Sequence, residues 1–305
     1  MWKVRERYVE QVRLLVKLLP AVAAEGDFAL KGGTAINLFY HDMPRLSVDI
    51  DLMFLPVRDR AASLNAIDAA MDRIAARGAG AGISASRVAG GGGGETRVLF
   101  TRGATRVKVE TTPVTRGVVF ESEERRVHPA VEEAFGFAEM KVVSFEDLYA
   151  GKLIAALDRQ HPRDLFDVRV LYEHQGLTDD LFRAFLIYLV SSGRPPHELL
   201  NPHLKPLADV FAKEFAGMPR VQVTVGELEA TRGQLIADLR RMLTGPAADF
   251  LRTLVGGRPD FETIGLPAAA ELPAVRWKLR NLAKLREVNP QKYEAQAAAL
   301  EALLL

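Results

Sequence analysis

Two aspartates separated by a single residue are the part of the sequence best suited to chemistry. Asp49 and Asp51 flank Ile50, and Thr34 of a Gly-Gly-Thr segment stands fifteen residues before Asp49. On a strand, residues i and i+2 point to the same side, with Cα atoms about 6.8 Å apart. Two such carboxylates repel each other unless a hard divalent cation binds them, and Mg²⁺ prefers oxygen ligands. The pattern predicts a site for Mg²⁺, or for Mn²⁺ in its place.

The glycine pair predicts a phosphate-binding turn. Gly32 and Gly33 directly precede residues 35–40, which we expect to form a short helix. Glycines before a helix let backbone N–H groups approach a phosphate, helped by the positive end of the helix. Thr34 adds a hydroxyl donor. A phosphate-binding turn beside metal-binding carboxylates is typical of a nucleoside triphosphate site.

Glu110 is the candidate for a third carboxylate, which a two-metal mechanism requires. Val107 and Val109 alternate with Lys108 and Glu110, so we expect a strand with the valines in the core and Glu110 on the open face. In the alternative interpretation, Glu110 pairs with Lys108 or Arg102 on an exposed strand, at little energetic consequence.

Composition narrows the class of protein. The 305 residues contain 40 Lys plus Arg against 39 Asp plus Glu, so nucleic-acid binding requires a local basic patch. The absence of cysteine excludes disulfides, zinc-thiolate sites and thiol nucleophiles. No apolar run approaches the ~18–20 residues of a membrane helix. We therefore expect a cytoplasmic protein without a membrane partner.

The order of elements predicts an α+β fold, with a mixed sheet, flanking helices and a helical C-terminal region. Residues 1–175 are expected to form the domain that carries the candidate nucleotide site, and residues 176–305 a helical domain, because turn signals after 144 separate helical segments only. The expected N-terminal elements are a helix over 2–19, strands over 46–54, 97–101, 105–112 and 117–122, a helix over 59–76 and a glycine-rich loop over 78–94.

These motifs resemble a known family. Residues 30–35 and 45–52 resemble the DNA polymerase β-like nucleotidyltransferase superfamily, with the same mixed-sheet core. Lys152, Arg159 and residues 163–167 resemble the later motifs of the AbiEii/MenT toxins, which are the nucleotidyltransferase halves of toxin–antitoxin and abortive-infection pairs. The resemblance covers about residues 30–172.

The resemblance implies a role for each matching residue. Nucleotide and metal binding carry over to Asp49, Asp51 and the segment Gly32-Gly33-Thr34, with Ser47 as a further nucleotide contact. Lys152 would neutralise triphosphate charge. Asp164 would be the late functional acid, with Asp167 as the alternative. The predicted catalytic residues are therefore Asp49, Asp51, Glu110, Lys152 and Asp164.

Simpler interpretations of the later motifs remain open. Lys152, Arg159 and Arg163 fall on roughly one helical stripe, which a solvated face would also explain. Arg163 and Asp167 could form an i,i+4 pair. Asp164, two residues after Pro162, could stabilise a helix N-terminus.

Two basic segments are candidates for RNA binding. One surrounds Trp277 on a predicted C-terminal helix and consists of Arg276, Lys278, Arg280, Lys284 and Arg286, of which the first four are the candidate RNA-binding residues. Its default interpretation is a solvated helix with a buried tryptophan, and an RNA-phosphate patch is the sharper alternative. The second borders the predicted site and consists of Arg97, Arg102, Arg106, Lys108 and Arg116.

The resemblance implies transfer of a nucleotide from an NTP to an RNA acceptor. The expected acceptor is a tRNA 3′ end, so that the toxin blocks aminoacylation, and an antitoxin is the expected protein partner. One alternative keeps the chemistry with a protein or a small molecule such as an aminoglycoside as acceptor. Another is a non-catalytic nucleotide- or RNA-binding protein, although such a protein needs no pair of strand carboxylates.

Overall fold

The computed structural model describes residues 6–88 and 96–304, which form two compact units. The first unit comprises the described residues up to Ser144 together with Phe215–Gln222. The second comprises Phe145–Glu214 and the described residues from Val223 onward. From the sequence, we expect the boundary between two domains after residue 175. This division into domains stays a prediction.

A mixed seven-stranded sheet forms the first unit, in the order β3-β4-β5-β2-β1-β7-β6. The pairs β2–β5 and β1–β7 are parallel, and the other neighbours are antiparallel. The predicted α+β class with a mixed sheet is confirmed. The strands are β1 (Phe28–Lys31), β2 (Asp49–Phe54), β3 (Ser84–Val88), β4 (Arg97–Arg102), β5 (Thr105–Arg116), β6 (Glu123–Arg126) and β7 (Glu139–Val142).

The helices of the first unit cover this sheet. Val12, Leu15 and Leu19 of the first helix are fully buried, as their three- and four-residue spacing predicted. The elements are α1 (Glu6–Ala23), a short turn α2 (Gly32–Thr34) continued by a π-helical segment (Ala35–Tyr40), α3 (Arg60–Gly78) and α4 (Pro129–Phe135).

Two local predictions were wrong. The expected loop over 78–94 contains strand β3, which pairs along its whole length with β4; residues 89–95 lie outside the described residues. β3 is an edge strand with little burial, so it lacks the apolar alternation that predicts strands. The strand expected over 117–122 forms instead at β6, which pairs with β7.

Strand β2 begins at Asp49 rather than at the predicted Leu46. The backbone N–H of Leu46 donates to the carbonyl oxygen of Met218, 3.1 Å away, so the residues before β2 bond to the segment Phe215–Gln222 instead of the sheet. Within β2, Ile50 and Leu52 are fully buried, whereas Asp49 and Asp51 remain partly accessible, as the alternation predicted.

The second unit is helical among its described residues, which confirms the helical C-terminal region. Its longer helices are α5 (Phe145–Asp158), α6 (Pro162–His174), α7 (Asp179–Ser191), α10 (Val225–Arg241), α11 (Pro246–Val255), α12 (Pro273–Val288) and α13 (Pro290–Glu301). Short segments are α8 (Pro196–Leu200), α9 (Ala208–Val210) with a π-helical turn (Phe211–Phe215), and 3₁₀ turns over Phe261–Ile264 and Pro267–Glu271.

Local signals in this unit behave as expected. The capping box between Thr224 and Glu227 forms at the start of α10, with both reciprocal bonds present. No described helix combines the length and apolar composition that spanning a membrane requires.

Candidate functional site

The two aspartates lie on β2, near the middle of the sheet. Asp51 stands opposite Lys31 on β1 and opposite Glu110 on β5, while Asp49 stands opposite Lys108. Residues at one register on neighbouring strands face the same side of the sheet, so both predicted metal ligands lie beside charged side chains of β1 and β5. Asp49, Asp51 and Glu110 therefore share one face of the sheet, as predicted.

The glycine turn contacts the aspartates so closely that no side chain fits. Gly32 has φ +75°, and a Cβ there would lie 2.7 Å from Oδ2 of Asp51. A Cβ on Gly33 would lie 2.6 Å from Nη2 of Arg45 and 2.9 Å from Oγ of Ser47. The structure brings Gly32, Gly33, Ser47 and Asp51 together, and close approach explains both glycines.

Thr34 is engaged within the protein. Its hydroxyl donates to the carbonyl oxygen of Asp49, and its Oγ1 lies 3.0 Å from Oγ of Ser47. These bonds tie the glycine turn to the beginning of β2, so Thr34 fixes the position of Asp49 relative to the turn. A contact of Thr34 with phosphate stays a prediction.

Sequence reasoning missed two polar residues that support the turn. The side chain of Asn37 is fully buried; its Nδ2 donates to the carbonyl oxygen of Gly33 at 2.8 Å, and its Oδ1 accepts from the backbone of Arg45. Arg45 is only 3% exposed, and its Nη1 donates to the carbonyl oxygen of Leu46. Arg45 belongs to the segment that carried the resemblance, but only the fold reveals its guanidinium beside Gly33.

Lys31 is a third residue that the sequence did not single out. Burial lowers the pKa of its ammonium, and the nearby carboxylates of Asp51 and Glu110 oppose that shift. Burial conversely raises the pKa of Asp51, against the opposing effect of Lys31. In the sequence, the feature that could have pointed to Lys31 is its position directly before the glycine pair.

Glu110 is paired with cations. Its Oε2 accepts from Nε of Arg97 at 2.5 Å and its Oε1 from Nζ of Lys108 at 2.7 Å. Burial raises its pKa, but these two cations together outweigh burial and lower it. Pairing with Lys108 was foreseen, whereas Arg97 takes the place expected for Arg102. Among the described residues, no group of three acidic or histidine side chains could hold a metal. Glu110 as a metal ligand stays a prediction.

The aspartate pair nevertheless suits one divalent cation bound together with a nucleotide. Mg²⁺ is commonly held by one or two carboxylates, with phosphate oxygens and water completing its shell. Asp49 and Asp51 supply two hard oxygen donors from one strand. The raised pKa of Asp51 shows that burial disfavours its charged form, a penalty that a bound cation relieves. The residues present fit the metal that the resemblance implies.

The later motif forms a buried ionic cluster in the second unit. Nζ of Lys152 lies 2.8 Å from Oδ1 of Asp164 and 2.9 Å from Oδ2 of Asp167, and all three side chains are almost inaccessible. Arg159 adds two bonds to Asp164. Burial raises the pKa of Asp164, but Lys152 and Arg159 outweigh it and hold that pKa well below its ordinary value.

The structure treats the simpler interpretations of the motif differently. α5 ends at Asp158 and α6 begins at Pro162, so Lys152, Arg159 and Arg163 do not form one helical stripe. Asp167 contacts Lys152, and the guanidinium of Arg163 lies 3.9 Å from Glu214. Asp164 does stand in the first turn of α6, as predicted. Both aspartates contact Lys152, so neither is singled out as the functional acid.

The C-terminal basic residues lie on α12 and differ from one another. Lys278 is 6% exposed and donates to the carbonyl oxygens of Ser192 and Arg194, which directly follow α7. Burial lowers the pKa of Lys278 to about 8, with Glu198 opposing. Lys278 therefore joins α12 to α7 instead of lying on a basic surface, where the sequence had placed it.

The remaining residues of this segment are exposed. Arg276 pairs with Glu271, whereas Arg280 and Lys284 are open to solvent. Trp277 is 58% exposed, so the expectation of a buried tryptophan was wrong. Of the second basic set, Arg97 and Lys108 bind Glu110, and buried Arg116 donates to the carbonyl oxygen of Pro113. Arg102 and Arg106 remain exposed.

A glycine turn against paired strand carboxylates on a mixed sheet is the arrangement expected of a nucleotidyltransferase. The family model described as "Nucleotidyl transferase AbiEii toxin, Type IV TA system" matches residues 13–281. The chain belongs to this family and is a nucleotidyltransferase toxin of a type IV toxin–antitoxin system.

The fold of this chain is similar to that of a solved toxin structure. The nucleotidyltransferase toxin MenT4 from Mycobacterium tuberculosis H37Rv superposes with a TM-score of 0.59 at 15% identity, over 97% of this chain and 95% of that one. A proposed nucleotidyltransferase from H. pylori gives a TM-score of 0.48 at 17% identity, over 78% of this chain and 96% of that one. A search of curated proteins gave no match.

Proposed function

We propose that this protein transfers a nucleoside monophosphate from an NTP to the 3′ end of a tRNA, with release of pyrophosphate. The observation that carries the proposal is the close packing of Gly32 against Asp51: a Cβ added to Gly32 would lie only 2.7 Å from Oδ2 of Asp51. This packing supports the proposal, because it brings the candidate phosphate-binding turn within a few ångströms of the candidate metal-binding carboxylate. Blocked aminoacylation would account for toxicity.

The residues of the first unit have distinct roles in this proposal. Backbone N–H groups of the turn bind phosphate oxygens, and the guanidinium of Arg45 adds positive charge beside Gly33. Asp49 and Asp51 hold Mg²⁺ together with the triphosphate. The metal, when bound, neutralises charge on the phosphates as a Lewis acid. Lys31 limits the repulsion between the carboxylates before the nucleotide binds.

Roles for the remaining predicted residues rest on the family resemblance. Lys152 would stabilise the charge that develops on the triphosphate, and Asp164 or Asp167 would hold Lys152 in place through the observed ion pairs. Glu110 would assist deprotonation of the attacking hydroxyl once it leaves Arg97 and Lys108. An antitoxin is the proposed protein partner, and the cytoplasm is the proposed place of action.

The test is incubation of purified protein with total tRNA, Mg²⁺ and each labelled NTP in turn. We expect label from one NTP to enter tRNA, and none with Asp51→Asn, which keeps the side-chain shape but removes the charge. Asp27→Asn, at an exposed turn of the same unit, is the matched control and should transfer normally. Labelling that Asp51→Asn leaves intact would contradict the proposal. Absence of label with every NTP would favour a protein or small-molecule acceptor.

A further inference from the structure

Helix α12 has one face that combines an exposed aromatic ring with two cations. Trp277, Arg280 and Lys284 stand at positions i, i+3 and i+7, so their side chains share a face. The opposite face, which includes Val275 and Lys278, is buried. We call the three exposed residues the α12 face.

Within the part of the chain that the structure describes, the two cations of the α12 face have no acidic partner. Among the described residues, no carboxylate lies within ion-pair distance of Arg280 or Lys284, in contrast to Arg276, which pairs with Glu271. Glu287 is the acid of α12 that stands nearest in sequence, three residues after Lys284, and it does not form an ion pair there. In a chain with net charge +1, these cations give a local positive surface.

Trp277 gives this surface a second property. Tryptophan is strongly buried on average, so an indole that is 58% exposed leaves a large apolar ring in water. An aromatic ring beside cations is the combination that binds single-stranded nucleic acid, because bases stack on the ring while phosphates contact the cations. Arg280 and Lys284 are one helical turn apart, about 6 Å along the axis, and can contact neighbouring phosphates.

We propose that the α12 face binds a single-stranded segment of the RNA acceptor, with one base stacked on Trp277 and phosphates held by Arg280 and Lys284. This inference rests on the proposed function, since it gives the RNA acceptor a docking surface. It differs from the basic segment predicted by sequence, because Lys278 is buried and Arg276 is paired. A protein partner fits this face less well, because a protein interface typically has an apolar centre within a polar rim, whereas the α12 face has a single aromatic ring among cations.

The salt dependence of RNA binding tests the cations. The probe is a fluorescein-labelled single-stranded RNA of about 12 nucleotides, measured by anisotropy without NTP. Each lost phosphate contact reduces the slope of log K against log salt by about 0.7 for a single strand. R280Q/K284Q should therefore reduce the slope by about 1.4. The control K17Q/K213Q removes two exposed cations elsewhere and should leave the slope unchanged.

The aromatic contact has its own test. Trp277→Ala should weaken binding of this RNA at least fivefold, about 1 kcal/mol, and Trp277→Phe should restore most of the affinity. The 305-residue sequence contains a second tryptophan, Trp2, so a Trp2→Phe background leaves Trp277 as the single tryptophan reporter. Its emission should be quenched when the RNA binds.

The outcomes separate this inference from the proposed function. Unchanged affinity and slope in R280Q/K284Q, with normal label transfer to tRNA, would assign the α12 face to a protein partner or to solvent and overturn the inference alone. RNA binding that depends on the α12 face, without transfer from any NTP, would support the inference and contradict the proposed function.

Discussion

The buried cluster of Lys152, Asp164 and Asp167 makes a strong prediction about stability. Lys152→Met removes the cation that contacts both carboxylates, at 2.8 and 2.9 Å, and leaves Asp167 charged in a site without solvent. Breaking a buried ion pair in this way costs about 3–5 kcal/mol. We expect Lys152→Met to lower the free energy of unfolding by that amount at neutral pH.

A double-mutant cycle isolates the charge contribution. With Lys152, Arg159, Asp164 and Asp167 ionised, the cluster is neutral, and K152M/D167N restores neutrality with Arg159 still bound to Asp164. The double variant should therefore lose at least about 1 kcal/mol less than the sum of the two single variants. Urea denaturation of all four proteins measures the coupling, and Arg241→Met, at an exposed pair with Asp238, is a control expected to cost below about 1 kcal/mol.

Acid strengthens the test. Protonation removes the carboxylate charge that Lys152 balances in the wild type, so the difference in stability between Lys152→Met and the wild type should shrink as the pH falls below neutral. The low pKa of Asp164 means that the wild type keeps its own contribution until more acidic pH. Additive single variants, or a cost below 1 kcal/mol for Lys152→Met, would refute a buried charge cluster. If K152M/D167N is stable yet transfers no label, while Asp167→Asn alone still transfers it, the ammonium of Lys152 is needed for the reaction.

Three further predictions concern other parts of the chain. Gly32→Ala places a Cβ 2.7 Å from Oδ2 of Asp51 at φ +75°, so it should abolish label transfer and cost about 1–3 kcal/mol in urea unfolding; Gly26→Ala, with open space around it, should do neither. Arg45→Met should weaken NTP binding at least tenfold by calorimetry, because it removes a charge-assisted contact; unchanged affinity would exclude Arg45 from the phosphate site. The Lys278 ammonium, followed by NMR, should titrate near pH 8, and titration near 10.5 would contradict this prediction. Because the pKa of Lys278 is lower in the folded than in the unfolded chain, the free energy of unfolding should rise with pH from about 8 to about 10.5, and this rise should be absent in Lys278→Met.

The sequence predicts those parts of the site that depend on local pattern. Alternation around Ile50 placed Asp49 and Asp51 on one strand face, and the glycine pair predicted a tight turn beside them. Both signals follow from the two-residue period of a strand and from the lack of a Cβ, so they need no knowledge of the fold.

Contacts between distant segments could not be predicted in this way. Asn37 and Arg45 gain their roles because the fold brings both to Gly33. On α12, the sequence shows an amphipathic helix, but packing against α7 decides that Lys278 is buried and Trp277 exposed. Strand β3 lacked a signal because an edge strand with exposed side chains needs no apolar alternation.

We propose that the aspartate pair supports nucleotide transfer to the 3′-terminal hydroxyl of tRNA. This role of the aspartates is tested by comparing label transfer to intact tRNA with transfer to tRNA whose terminal ribose diol has been oxidised by periodate. We expect label to enter intact tRNA alone, and Asp49→Asn and Asp51→Asn each to abolish the transfer. Equal labelling of both RNAs, or labelling that survives both substitutions, would show that the aspartate pair does not direct transfer to the 3′ end.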